Sequence, residues 1–210
     1  MKKEADISAI LIDNAIHLIA QGGFEKATTK NLAHYGDAPK DFKMNEAYIY
    51  RLFGSKEELY QSAFLYLDKE FVQVIRESLE EMGDITLATK KDFYKMFLKV
   101  WQFVLRSEER CRCYVRYYYS VYFKGKAEES HKKQLAPLLS KFSELFIEEA
   151  DVKAIMHSVL TTFLDFAIRV YNGALIDNGE NRPHVFNVLY CIMMTYLRNP
   201  DNCNIKELLI

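Results

Sequence analysis

Apolar side chains at Ile7, Ile10, Leu11, Ala15, Leu18 and Ile19 recur at three- and four-residue intervals, which predicts an α-helix over residues 4–21 that Gly22-Gly23 stops. Thr28 is placed to cap a short helix from Thr29 to Tyr35, with Leu32 and Ala33 turned toward a core. Residues 45–64, NEAYIYRLFGSKEELYQSAF, then read as two helices in immediate succession. Asn45 can cap a helix through Phe53, Gly54 supplies the left-handed residue that ends it, and Ser55 with Glu58 forms a capping box for the next. Between the caps stand Tyr48, Tyr50 and Arg51, phenol and guanidinium groups that can reach base edges or phosphates. Three helices in this order, the third short and polar, predict a helix-turn-helix bundle.

From Leu59 the apolar spacing runs through Ala63, Phe64, Leu67, Phe71, Val74, Ile75 and Leu79, so the capped helix extends to about Met82, where Gly83-Asp84 breaks it. That length suits a connection between two domains. Further helices are expected at about 88–106, 108–123, 128–149, 151–177 and 182–198. Residues 151–177 are apolar nearly all round and must be covered on several sides. A membrane span is disfavoured by His157, Asp165, Arg169 and Asn172, and Asp165 with Arg169 has the spacing of an i,i+4 ion pair. Together with the last helix this segment is expected to form a subunit interface through Leu160, Phe163, Ile168, Leu189, Met193 and Tyr196, the competing reading being an intrachain core. Residues 110–124 gather Tyr114, Tyr117, Tyr118, Val121 and Tyr122 on one broad helical face and Arg112 with Arg116 on another. That face is either plain aromatic core or, with Trp101, Phe103 and Phe163, the wall of a mostly apolar pocket for a planar ligand. Stacking on single-stranded nucleic acid would need an exposed platform.

Composition narrows the class. The chain has 210 residues, half of them apolar, with only 8 Gly and 4 Pro, so it can bury a sizeable core and is all-α. Glu4, Asp6 and Asp13 interrupt any N-terminal apolar run, which argues against a secretory leader, and four cysteines without framework spacing fit a reducing cytoplasm. Residues 1–56 hold eight Lys or Arg against seven Asp or Glu, so no strongly basic domain stands out for a nucleic-acid partner. Cys111 and Cys113 diverge by about 200° on a helix and cannot grip one ion together. His17, His34, His131, His157 and His184 lack ligand spacing, and no phosphate-cradling glycine loop or nucleophile elbow is present. Neither a metal, a cofactor nor an enzymatic activity is expected.

The runs Gly23-Phe24, Thr28-Thr29, Leu32-Ala33, Ala47-Tyr48-Ile49-Tyr50-Arg51-Leu52-Phe53 and Gly54-Ser55-Lys56-Glu57-Glu58-Leu59 together resemble the TetR family of bacterial transcriptional regulators over roughly the first third of the chain. The resemblance implies a helix-turn-helix DNA-binding domain at 1–56 and an effector-binding and dimerisation domain at 57–210. It implies a homodimer on a near-palindromic double-stranded operator, a small-molecule effector, and repression. Thr29, Tyr50 and Lys56 match the family's phosphate-contacting positions, and Glu46, Ala47 and Tyr48 its base-facing ones; Lys30, Lys43, Asn45 and Arg51 complete the expected DNA surface. One departure stands out: Gly36 through Lys43 intervene where about four residues join the two helices in the family, with Pro39 either in a bulged loop or near the first turn of an early helix, and with Lys40 and Lys43 in reach of phosphate. The alternative is a helical ligand-binding or interaction protein whose altered helix-turn-helix no longer reads DNA.

Overall fold

The computed structural model describes residues 2–35 and 44–198, with side chains from Asp6 onward. The expected insertion at 36–43, with Lys40 and Lys43, lies outside the described residues. Nine α-helices are formed among them: α1 (Lys2–Lys26), α2 (Thr29–His34), α3 (Ala47–Phe53), α4 (Lys56–Met82), α5 (Lys90–Leu105), α6 (Glu108–Tyr118), α7 (Lys126–Ser143), α8 (Val152–Tyr171) and α9 (Asn181–Met194). Two compact units result, one of Met1–Glu70 with Ser107–His131, the other of Phe71–Arg106 with Lys132–Ile210. The helix α4 contributes its first half to one unit and its second half to the other.

In the first unit α1 lies along α6 and α2. Leu11, Ala15 and Ile19 are fully buried along one face of α1, in the register that the periodicity predicts. The helix leaves helical geometry at Gly23, with φ 72° and ψ −169°, before a last turn to Lys26. The positive φ there suits glycine, and a Cβ would stand only 3.2 Å from the Arg116 guanidinium, a tight contact. Arg116 sits there because it donates to the Ile19 carbonyl at 3.2 Å, one of the orphan acceptors near the helix end. His17 joins three elements: its ring stacks on Tyr35 at 4.2 Å and bonds to that hydroxyl, while Nδ1 lies 2.7 Å from Glu109 of α6. By length and hydropathy Asp6–Lys26 passes as a membrane span, but 44% of that window is buried inside the unit, as befits a core helix.

A polar cluster lies in this otherwise aromatic core. Asp68 of α4 is completely buried, accepts from the Tyr114 hydroxyl of α6 at 3.0 Å, and stands 2.8 Å from His131 Nδ1 of α7. Phe64, Tyr118 and Phe123 surround the imidazole with ring centroids 5.5–6.2 Å away. Burial, followed by the Asp68 charge, raises the Tyr114 hydroxyl well above the usual range, so it stays a proton donor to the carboxylate.

The second unit is built on α5, α8 and α9. Phe97 stacks on Trp101 at 5.5 Å and meets Phe163 and Phe186, so residues from all three helices share one aromatic centre. The chain then closes on itself through an isolated antiparallel bridge between Phe146 and Leu197, in which the Ile147 amide donates to Tyr196 and that of Arg198 to Leu145, both at 2.9 Å.

Four expected helices end early, the one expected at 182–198 stopping at Met194. The helix expected at 108–123 stops at Tyr118 because Ser120 diverts the backbone: its hydroxyl donates to the Tyr117 carbonyl at 2.8 Å and accepts from the Tyr122 amide at 3.1 Å. Val121 and Tyr122 therefore belong to a turn and not to a helix face. That expected at 128–149 runs from Lys126 to Ser143, and that expected at 151–177 ends at Tyr171, before Gly173 at φ 71°.

Replacing Asp68 with Ala removes the shared acceptor of two buried groups, and should lower the urea-unfolding free energy by about 3–5 kcal/mol. Asp165→Ala, which breaks only the exposed 2.7 Å pair with Arg169, should cost less than about 1 kcal/mol.

Candidate nucleic-acid interface

The short helix α3 is held by one side and presents the other. Ile49 is fully buried, as are Met44 just before the helix and Leu32 and Ala33 of α2. The side chain of Asn14 reaches from α1 to the Leu32 carbonyl at 2.9 Å, and the fully buried Tyr60 at the start of α4 donates its hydroxyl to Ala27. Burial, with Tyr122 nearby, pushes that phenol up to about 12. These contacts hold α2, the segment just before it and the start of α4, between which α3 is suspended.

Local chemistry sets where α3 begins and ends. Asn45 Oδ1 accepts from the Ala47 amide at 3.0 Å, while Glu46 already has helical φ and ψ. At the other end Gly54 takes φ 85° and its amide bonds to Tyr50 at 2.9 Å. The Ser55 hydroxyl then accepts from the Glu58 amide at 3.1 Å, restarting the chain as α4.

On the outer side Lys30, Asn45, Glu46, Ala47, Tyr50 and Arg51 are exposed, Tyr50 by 56%. Thr29, Tyr48 and Lys56 are half-buried. The Arg51 guanidinium stands 4.5 Å over the Tyr48 ring, an i,i+3 pair whose cation and phenol share one outward edge of the helix. Lys56 is 3.8 Å from Glu57, a loose surface pair that leaves the ammonium available to other anions. The Thr29 hydroxyl donates to the Glu46 carboxylate at 2.6 Å, which links the residue expected at phosphate to the one expected at a base. The residues expected at DNA, apart from Lys43, thus lie on α2, α3 and the adjoining ends, and they combine cationic, phenolic and one acidic group.

The residues expected at a ligand divide between the units. Tyr114 and Tyr118 stack in the first with ring centroids 6.2 Å apart, and Tyr122 packs there on Phe24 at 4.6 Å. Trp101 and Phe163 meet edge-to-face at 5.4 Å in the second, and Phe103 carries Arg106 over its ring at 5.1 Å. Periodicity gives no sign of a polar anchor at Trp101, whose indole N–H donates to Asp177 at 2.8 Å; the same carboxylate takes both nitrogens of the Arg182 fork at 2.7 and 2.8 Å.

Of the residues expected at a subunit contact, Phe163, Leu189 and Met193 are covered by their own chain, at 5–8% exposure. They face the core that α5, α8 and α9 share, so none has surface left to give a partner. Leu160 and Ile168 are half-buried, and Tyr196, 40% exposed, stands at the bridge. The outward side of α9 includes the exposed His184, Val188 at 46% exposure, the exposed Cys191 and the half-buried Ile192. Burial pushes both Cys111 and Cys113 up to about 12, as suits structural thiols. Among the described residues no group of three or more His, Cys, Asp or Glu side chains is placed to hold a metal ion.

Residues 11–63 match the sequence model of a family described as bacterial regulatory proteins, tetR family, a span that holds most of α1, all of α2 and α3, and the start of α4. Comparison with curated proteins gave no match. Among solved structures the fold is similar to a TetR family transcription regulator from Marinobacter aquaeolei VT8, at TM-score 0.73 and 15% identity, covering 91% of this chain and 98% of that one. It is similar to the fatty acid degradation regulator FadR from Bacillus halodurans, at 0.62 and 17%, covering 86% and 96%. The FadR from Bacillus subtilis, solved in complex with stearoyl-CoA, aligns at 0.56 and 17%, again over 86% and 96%.

The Arg182 fork, and after it Trp101, hold the Asp177 carboxyl below the usual carboxylate range. A depressed pKa adds stability above the unfolded value of about 3.9 and loses it as pH falls through the folded value. Fluorescence of Trp101, the chain's single tryptophan, should therefore report this anchor as intact from neutral pH down to about 4 and released only below that. A transition near pH 6 would mean that another group controls the indole.

Proposed function

We propose, on the premise of the tetR-family match at residues 11–63, that the chain controls transcription as a homodimer which binds a near-palindromic operator and is released from it by a small, mostly apolar effector. The observation that carries this reading is the division of α3: Ile49 alone is buried, while Glu46, Ala47, Tyr50 and Arg51 remain exposed around it. A recognition helix needs that division, since its inner side sets its angle and its outer side enters the major groove.

Roles follow from chemistry. Tyr50 and Lys56 suit phosphate, as a phenol donor and an ammonium beside the recognition helix. Tyr48, with Arg51 over its ring, suits a base edge. With residues 1–56 nearly neutral, few phosphate charges are neutralised per subunit, and the salt dependence of binding is shallow.

Dimerisation supplies the second reading head, at the separation of about 34 Å that successive major grooves require. On α9 Val188 and Cys191, with the half-buried Ile192, offer an apolar surface, and the exposed His184 lies one turn before Val188. For the effector, the second unit offers an aromatic interior with one polar anchor at Trp101, Asp177 and Arg182. The stearoyl-CoA held by the Bacillus subtilis FadR supports an acyl or other largely apolar class. An effector releases DNA only by as much as it prefers the non-binding state, and by linkage the operator weakens effector binding by the same factor.

A gel shift with duplex from upstream of the chain's own coding sequence tests the reading. Retardation that competitor of random sequence does not abolish is the expected result; no retardation at low salt would favour a helical ligand-binding protein that does not read DNA. Tyr50→Phe and Lys56→Ala should weaken binding to specific and random duplexes alike, with Lys56→Ala lowering the salt slope by about one. In sedimentation, Val188→Glu should yield a folded monomer, whereas Leu189→Glu should cost several kcal/mol and unfold the second unit, because it buries a charge inside the chain.

A further inference from the structure

Thr29 and Glu46 are seventeen residues apart, yet the threonine hydroxyl stands 2.6 Å from the glutamate carboxylate. A hydroxyl has one hydrogen to give, so a Thr29 that donates to Glu46 cannot at the same time donate to phosphate. A carboxylate in that place also repels phosphate, which makes the pair a poor backbone contact.

The same pair is a good base reader. Glu46 is exposed and precedes the first residue of α3, with backbone already helical at φ −59° and ψ −28°. Its neighbour Asn45 is committed to the Ala47 amide, so the cap does not draw on the Glu46 side chain. The bond from Thr29 restricts a rotamer-rich side chain to one orientation, lowering the entropy that would be lost on binding. A carboxylate only accepts, and it has about four lone-pair positions, of which Thr29 fills one. Among the bases, cytosine presents a major-groove amino donor with no acceptor beside it on the same ring. Adenine sets N7 next to its amino group, while guanine and thymine present acceptors.

We propose that Glu46, oriented by Thr29, accepts from the exocyclic amine of a cytosine in each operator half-site, and that Thr29 is a positioning residue and not a phosphate ligand. This deepens the reading of the chain as a DNA binder and rests on it. The carboxylate lowers affinity for every duplex through repulsion and recovers it only where a cytosine stands opposite.

The test is selection of duplexes from a random double-stranded pool by the full-length chain and by Glu46→Ala, Glu46→Gln and Thr29→Val, followed by titration of the enriched duplex and its single-position variants. Wild type should enrich a C·G pair in each half-site, and Glu46→Ala should lose about 5- to 150-fold preference at that pair while the other positions keep theirs. Both Glu46 variants should bind random duplex more tightly than wild type does. Thr29→Val should blunt preference at the same pair and leave random-duplex binding unchanged. Equal selection by wild type and Glu46→Ala would overturn the assignment while leaving the DNA-reading function in place, and so would a Thr29→Val loss that is uniform across all duplexes. Failure of wild type to enrich any duplex would instead remove the function on which the assignment rests.

Discussion

A helix of seven residues forms too few internal hydrogen bonds to hold itself in water, because nucleation fixes more dihedrals than the first bonds repay. The helix α3, Ala47–Phe53, is that short, and the rest of the first unit supplies what it lacks. Buried Ile49 and Met44 meet the core that Leu32 and Ala33 share. Asn14 of α1 bonds to the Leu32 carbonyl within α2, and Tyr60 of α4 to the Ala27 carbonyl just before it. Gly54, at φ 85°, lets α4 begin within two residues of the end of α3. Since the apolar support comes from the inner side, the outer side carries no packing duty, and Glu46, Tyr50 and Arg51 can be polar at little cost to the fold.

Polar groups carry specificity in both units, at the fully buried Asp68 and at the half-buried Asp177. In the first unit one carboxylate, Asp68, gathers Tyr114 and His131 from two further helices. In the second, Asp177 gathers Trp101 and Arg182. Apolar contact alone would tolerate sliding of these aromatic faces, whereas a buried hydrogen bond that is lost leaves its partner unsatisfied and so selects one register. Both clusters draw on residues far apart in sequence, which makes them features of the assembled units and not of any single helix.

The caps and breaks were legible in the sequence because they act over a few residues. Thr28 bonds to the Asn31 amide, Ser55 to that of Glu58, Gly54 and Gly83 take positive φ where α3 and α4 end, and Gly23 does so where α1 leaves helical geometry. The all-α class followed from periodicity in the same way. The outlying parts depended on tertiary contact. An apolar stripe on α9 does not say whether Leu189 meets its own chain or another, and the structure puts it inside. The early end of α6 turned on Ser120, whose hydroxyl competes with the helical pattern in a run that otherwise reads as helix. Asp68 did leave a trace: it falls four residues after Phe64 and four before Val72, a carboxylate at core spacing, but only the fold shows that Tyr114 and His131 meet it. The bond between Thr29 and Glu46 likewise had no local signal.

Amide hydrogen exchange, followed by mass spectrometry with and without a bound operator duplex, tests the central claim most directly, because it locates the DNA without relying on any substitution. If the outer side of α3 reads duplex DNA, protection on binding will concentrate in the peptides that carry Thr29–His34 and Ala47–Phe53, and in the first turn of α4. Protection that leaves Ala47–Phe53 unchanged while appearing elsewhere in the chain would contradict the account.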